Sequence, residues 1–271
     1  MTAGIGTVKS AKAVYFHGAP GGPRELDLSG EVANGAPIAI DRFALNAVTS
    51  TELVDALLAC VDAQAASQPL RLIGFSMGCR WALAVAARLG AQVVRIDLIA
   101  PLGPFSLGHY GRDLKGYPLF ELARKRRGVL RLVLAAQAWL ARRSPRSLVQ
   151  LALQGSRGGD RALAQDPAFR ALVATLFLHA LGPSRHAYAQ ELAFASEDWS
   201  PLLAEVAAPV HIWHGTEDNW AAPGMGDALA RHLRGARITR LAGLSHYSAL
   251  QHMLPVLLHP WADSQGHCFG Q

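Results

Sequence analysis

Short apolar runs of strand length alternate along the chain with longer stretches in which apolar residues return every three or four positions. The runs predict strands at 13–17, 37–41, 70–75, 93–99, 209–214 and 236–241. The longer periodic stretches predict helices at 49–65, 77–90, 224–233 and 247–258. The first helix carries its own start signal, Thr49-Ser50-Thr51-Glu52, a hydroxyl cap with an acid in the first turn. Strand and helix in alternation imply an α/β fold: a mostly parallel sheet of six to seven strands with helices on both faces. Only 12 residues precede Ala13, room for at most one further short strand, at Thr7–Ser10.

Between Ile99 and Pro209 no convincing strand is found, and so long a stretch inside a compact domain has to be folded. Its periodicity is helical at Leu119–Arg126, Val129–Arg143, Ser147–Gln154, Arg161–Leu181 and His186–Ala195. The expected organisation is one α/β core, 1–103 with 201–271, interrupted by a helical insertion at 104–200. The tail after Leu258, with Pro260, Gly266 and Gly270, reads as loose.

One junction in this alternation carries chemistry. Residues 70–80 read Leu-Arg-Leu-Ile-Gly-Phe-Ser-Met-Gly-Cys-Arg, an apolar run breaking into G-x-S-x-G and then a helix. Such a strand delivers Ser76 to the edge of a sheet, and a sharp turn exposes its hydroxyl. The turn is so tight that the residues two before and two after the serine must have almost no side chain. Gly74 and Gly78 meet that demand, and the following helix aims its N–H groups and positive end at the same spot. A serine hydroxyl needs a base to take its proton, and the base needs an acid to hold its tautomer. Other strand ends supply candidates. Val210–Trp213 runs into His214-Gly215-Thr216-Glu217-Asp218, Ala236–Leu241 into Ala242-Gly243-Leu244-Ser245-His246, and Val14–Phe16 into His17-Gly18-Ala19-Pro20-Gly21.

With HGAPG at 17–21, GFSMG at 74–78, HGTED at 214–218 and GLSH at 243–246, the chain resembles the α/β-hydrolase family over about residues 13–258. The resemblance implies Ser76 as nucleophile, Asp218 as acid and His246 as general base, with the backbone N–H groups of Ala19 and Met77 as the oxyanion hole. Chemistry also favours Ala19, because Pro20 has no N–H to give. The resemblance further implies that 104–200 is a helical cap over the site. The activity it implies is that of a serine hydrolase cleaving an ester, thioester or lactone through an acyl-enzyme. Glu217 is the rival acid, but a one-residue slip points its side chain elsewhere, and Asp97 lies too early in its strand to reach the site. Carbon–carbon bond hydrolysis, cofactor-free haloperoxidation and acyl transfer use closely similar sites and stay open. So does a non-catalytic ligand-binding role, although a binder has no use for a base beside a serine. Prolyl-type aminopeptidases carry a similar HGxPG loop but need carboxylates to bind a substrate ammonium.

Composition narrows the classes. Apolar residues make up 51% of the 271 and charged residues 17%, which supports a large core and argues against disorder. The first residues lack the apolar region of a signal peptide, and no apolar run approaches the roughly 20 residues of a membrane span. The richest, Val129–Leu140, contains Arg131 and Gln137. A cytoplasmic location is expected. Cys60, Cys79 and Cys268 are odd in number and scattered, so neither a disulfide framework nor zinc is expected, and Cys79 reads as a packing residue. No metal cluster or dinucleotide fingerprint is found, and no cofactor is expected. His17 and His214 read as hydrogen-bonding residues of their loops, and Trp199, Trp213 and Trp220 as core or cap-seam residues.

Charge is uneven. Residues 112–161 hold twelve Lys and Arg against Asp113, Glu121 and Asp160, a net +9 in a chain of +6 overall. A solvated outer face of the cap helices is the first reading, and attraction of an anionic substrate the second. Few aromatic residues interleave with the basic run, which argues against nucleic acid. The expected partner is a small-molecule acyl substrate, neutral or anionic.

Overall fold

Alternate residues of the central strands feed two separate cores, as a sheet covered on both faces requires. Tyr15, Ile73, Phe75 and Ile99 face one core, and Val14, Phe16, Leu72, Ile96 and Leu98 the other. The computed structural model describes residues 11–30, 37–45, 47–65, 67–110 and 114–258. The short strand expected at Thr7–Ser10 and the tail after Leu258 lie outside them. The strands are β1 (Lys12–Phe16), β2 (Ile38–Ile40), β3 (Leu70–Phe75), β4 (Val93–Ile99), β5 (Val210–Gly215) and β6 (Arg237–Leu241). They form one sheet in the order β2-β1-β3-β4-β5-β6, with every pairing parallel.

Helices α1 (Ser50–Ala65) and α2 (Gly78–Leu89) pack into the second core through Leu53, Leu57, Trp81 and Leu83. The start signal of α1 works as its chemistry suggests: Glu52 N donates to Thr49 Oγ1 at 3.1 Å, and Val48 N donates to the Glu52 carboxylate at 2.8 Å.

Among the described residues between β4 and β5 there is no strand. Six helices fill the stretch: α3 (Tyr117–Lys125), α4 (Arg127–Arg143), α5 (Pro145–Leu153), α6 (Asp160–Leu163), α7 (Pro167–Leu181) and α8 (Arg185–Ala195). α4 packs on α5 and α7, and α3 on α8. The single helix expected over Arg161–Leu181 is in fact two. Pro167 takes the first position of α7, and the Asp166 carboxylate accepts a hydrogen bond from Ala168 N at 2.8 Å, so a new helix is capped where the old one would continue. Apolar periodicity runs straight through Pro167, and so hides the break.

After β5 come α9 (Pro223–His232) and α10 (His246–Leu258); α10 closes the first core with Ala249, Leu250, Met253 and Leu254. No helix among the described residues is long and apolar enough to cross a membrane.

Candidate active site

The turn at Ser76 is built by exclusion. A Cβ at Gly74 would lie 2.7 Å from the Cys79 Cα, and one at Gly78 would run into the Phe16 carbonyl oxygen. Between them Ser76 holds φ at +53°, a left-handed backbone that costs energy for any residue with a Cβ. Three hydrogen bonds hold it there. Ser76 N donates to Ile99 O at 3.0 Å, and Ser76 O accepts from Cys79 N and Leu102 N, each at 3.2 Å. Met77 is the N-cap of α2, so that helix starts right behind the serine. Cys79 is fully buried, and burial pushes its thiol pKa up, which fits a packing role.

His246 opens α10, and its Nδ1 lies 2.8 Å from Asp218 Oδ2. Asp218 Oδ1 accepts from Trp220 N at 2.8 Å and Ala221 N at 3.0 Å. His214 Nε2 stands 3.4 Å from Asp218 Oδ2 and 3.0 Å from Ala221 O. Burial alone would raise the Asp218 carboxyl, but the charges of His246 and His214 and their hydrogen bonds to it hold it well below the usual carboxylate range. An ionised Asp218 accepts a hydrogen bond from His246 Nδ1–H, which keeps the proton on that nitrogen and leaves Nε2 as the basic one. The neighbouring Glu217 side chain is exposed. Asp97 is fully buried but engaged elsewhere, by Arg71 Nε at 2.9 Å, Arg95 and Trp213 Nε1.

Ser76 and His246 line one cavity of about 370 Å³, together with Ala19 and Met77. Among the described residues neither the Ala19 nor the Met77 backbone N–H meets an acceptor. Trp220 does not pack only at the seam, as expected. It forms part of the cavity wall, nearly parallel to the His246 ring at 6.1 Å, with Lys115 Nζ 5.0 Å from its centroid. Lys115 lines the cavity too, unlike the exposed arginines of the same basic stretch. No Asp, Glu or Arg is among the described lining residues, and among the described residues no group of three or more His, Cys, Asp or Glu side chains could hold a metal ion.

Two carboxyls that stand in no motif frame this arrangement. Asp160, on α6, accepts from Ser248 N and Ser248 Oγ at 2.7 Å each and from Tyr247 N at 3.2 Å. It thereby satisfies otherwise orphaned N–H groups in the first turn of α10, directly behind His246. Asp160→Ala is expected to cost about 2 kcal/mol in urea unfolding, at the upper end for a lost cap because the site is buried.

Glu25 sits under the 17–22 loop. Its Oε2 accepts from Tyr15 Oη at 2.6 Å and Gly18 N at 2.9 Å, and burial pushes its pKa from 4.5 up to about 7. The folded chain then holds a proton that the unfolded chain releases near pH 4.5. Stability should therefore fall by about 3 kcal/mol from this group as pH rises from 4.5 through 7. Denaturant unfolding of wild type and Glu25→Gln across that window should show the difference, with the slope from this group absent in the variant.

His17 and Arg42 complete the frame. His17 Nδ1 donates to Gly18 O at 2.7 Å and Nε2 accepts from Arg42 N at 3.2 Å, and burial lowers its pKa, so the ring is neutral. Arg42 Nη1 donates to His17 O at 2.6 Å and its Nε to Glu191 of α8 at 3.0 Å, while Trp81 Nε1 also donates to Glu191, at 3.0 Å.

Residues 49–254 match the serine aminopeptidase S33 family of hydrolases. The chain belongs to this family. It is an α/β hydrolase, and solved structures agree on the fold. An esterase from Thermogutta terrifontis superposes with a TM-score of 0.67 at 16% identity, covering 92% of this chain and 88% of its own. An enol-lactonase from Burkholderia xenovorans gives 0.65 at 19% identity, covering 92% and 90%. A bromoperoxidase from Bacillus anthracis gives 0.64 at 14% identity, covering 92% and 89%. Identities this low speak for the fold alone. A search of curated protein sequences finds no significant match.

Proposed function

We propose that this S33-family hydrolase cleaves a carboxylic ester, thioester or lactone through an acyl-enzyme on Ser76. The observation that carries the reading is His246, hydrogen-bonded to Asp218 and set on the same cavity as a serine held in a strained turn. His246 Nε2 takes the Ser76 proton as Oγ bonds to the substrate carbonyl carbon. Asp218 stabilises the imidazolium that results. The negative oxygen of the tetrahedral intermediate accepts hydrogen bonds from Ala19 N and Met77 N, each donor contributing about 3 kcal/mol. When the intermediate collapses, the leaving alcohol or thiol takes the proton from His246. Water, deprotonated by the same nitrogen, then releases the acid and restores Ser76. A burst of p-nitrophenol from a short-chain p-nitrophenyl ester, equal in amount to the enzyme, tests this. A chain that binds the ester without releasing p-nitrophenol would be a binder and not a hydrolase.

In this reading residues 104–200 form the cap, and its contribution to the cavity decides the substrate. Among the described residues the lining is mostly apolar and holds no carboxylate, so none of them would receive the ammonium of a peptide N-terminus. Lys115 would repel one. Burial lowers the Lys115 pKa, and an anionic group on the substrate would favour its charged form. For matched esters, kcat/KM is expected to be highest with a carboxylate, intermediate with no charge and lowest with an ammonium. The spread should narrow as salt rises, because exposed charges are screened within about 10 Å at 0.1 M. Equal values at every salt would mean that the cap selects by shape alone.

A further inference from the structure

Helix α4 is apolar on the side that packs and also on the side that faces water. Leu130, Leu134, Ala138 and Ala141 are buried against its neighbours. Val129, Leu132 and Trp139 are 41%, 71% and 61% exposed, with the exposed Ala136 between them. Positions 129, 132, 136 and 139 recur at intervals of three and four, so they form one stripe opposite the buried one. On α5, Leu151 is 62% exposed and also lines the Ser76 cavity, as does Gln137 of α4. An exposed apolar side chain of the neighbouring helix thus borders the cavity. An exposed apolar patch with a polar rim marks a surface built to meet something.

The rim says what. Arg126 and Arg127 at the start of the helix, Arg131 on its flank, and Arg142, Arg143 and Arg146 at its end are all exposed. Across residues 114–159 there is one carboxylate, Glu121, already paired with Arg124 and Lys125. We propose that this face docks on the anionic surface of a lipid bilayer. Leu132 and Trp139 would enter the acyl boundary, the arginines would meet the headgroups, and the cavity mouth would lie against the lipid. Apolar burial and charge attraction then act in the same direction. A second copy of the chain fits the face less well, because a symmetric contact sets the same arginines against each other with few acids between them. Docking stands on the surface alone. Its corollary, that the substrate is an acyl ester carried in the membrane, rests on the hydrolase reading above.

Co-sedimentation of the full-length Ser76→Ala protein with vesicles separates the two. Binding is expected to mixed phosphatidylglycerol–phosphatidylcholine vesicles at low salt, to weaken at high salt, and to be absent with phosphatidylcholine alone. Leu132→Glu with Trp139→Glu should weaken that binding at least about tenfold while the urea midpoint stays put, since both side chains are exposed. In the Ser76-containing enzyme the same pair should leave hydrolysis of a soluble short-chain ester unchanged. Failure to bind anionic vesicles, or equal binding by the double variant, would overturn docking. So would a concentration-dependent dimer that the double variant abolishes, or salt-resistant binding to an acidic protein in place of vesicles.

Discussion

Ser76→Ala is expected to lower kcat by about 10⁶ for any ester the enzyme turns over, the scale seen when a hydrolase loses its nucleophile. The fold should survive. The hydrogen bonds that hold the turn are all made by backbone atoms, Ser76 N to Ile99 O and Cys79 N and Leu102 N to Ser76 O, and alanine keeps every one. Its Cβ meets the same left-handed strain that serine already bears at φ +53°. The urea midpoint should therefore match wild type while steady-state p-nitrophenol release disappears. A variant that unfolds more easily would mean that the Ser76 hydroxyl holds structure. Retained turnover would place the nucleophile elsewhere.

Asp218→Asn is expected to lower kcat by about 10⁴, whereas Glu217→Gln should change it little. The reason lies in which proton His246 carries. An ionised carboxylate 2.8 Å from Nδ1 keeps the proton there and leaves Nε2 basic. An amide that presents its NH₂ to Nδ1 reverses the tautomer, and Nε2 can no longer accept the serine proton. The bonds from Trp220 N and Ala221 N need only an acceptor oxygen, which asparagine retains, so its orientation is kept. Steady-state kinetics of the two variants on one ester decide the matter. The opposite ranking would mean that the chain past β5 presents Glu217, and not Asp218, to the base.

The sheet could be read from the chain because its signals are local. Leu70–Phe75 is buried along its whole length and ends in the glycine-flanked turn at Ser76. The same locality explains the register at Asp218: the strand into Gly215 sets which of two adjacent acids turns inward. What escaped is long-range. Asp160 meets Tyr247 and Ser248 across 87 and 88 residues, and Arg42 meets Glu191 across 149, with no pattern at either end to pair them. Glu25 looks like any polar residue of a turn until Tyr15 and Gly18 are seen to donate to it. The basic stretch misled in a different way. Charge count alone could not separate Lys115, which lines the cavity, from arginines that face solvent, or show that the outer face of α4 between those arginines is apolar.

Covalent labelling tests the central claim most directly. The enzyme is treated with a fluorophosphonate, its intact mass recorded, and the adduct located by peptide mass spectrometry. One adduct per chain on the peptide carrying Ser76, absent from Ser76→Ala, is the result expected of a serine activated by His246. An adduct on another residue, or wild-type labelling of the alanine variant, would contradict it.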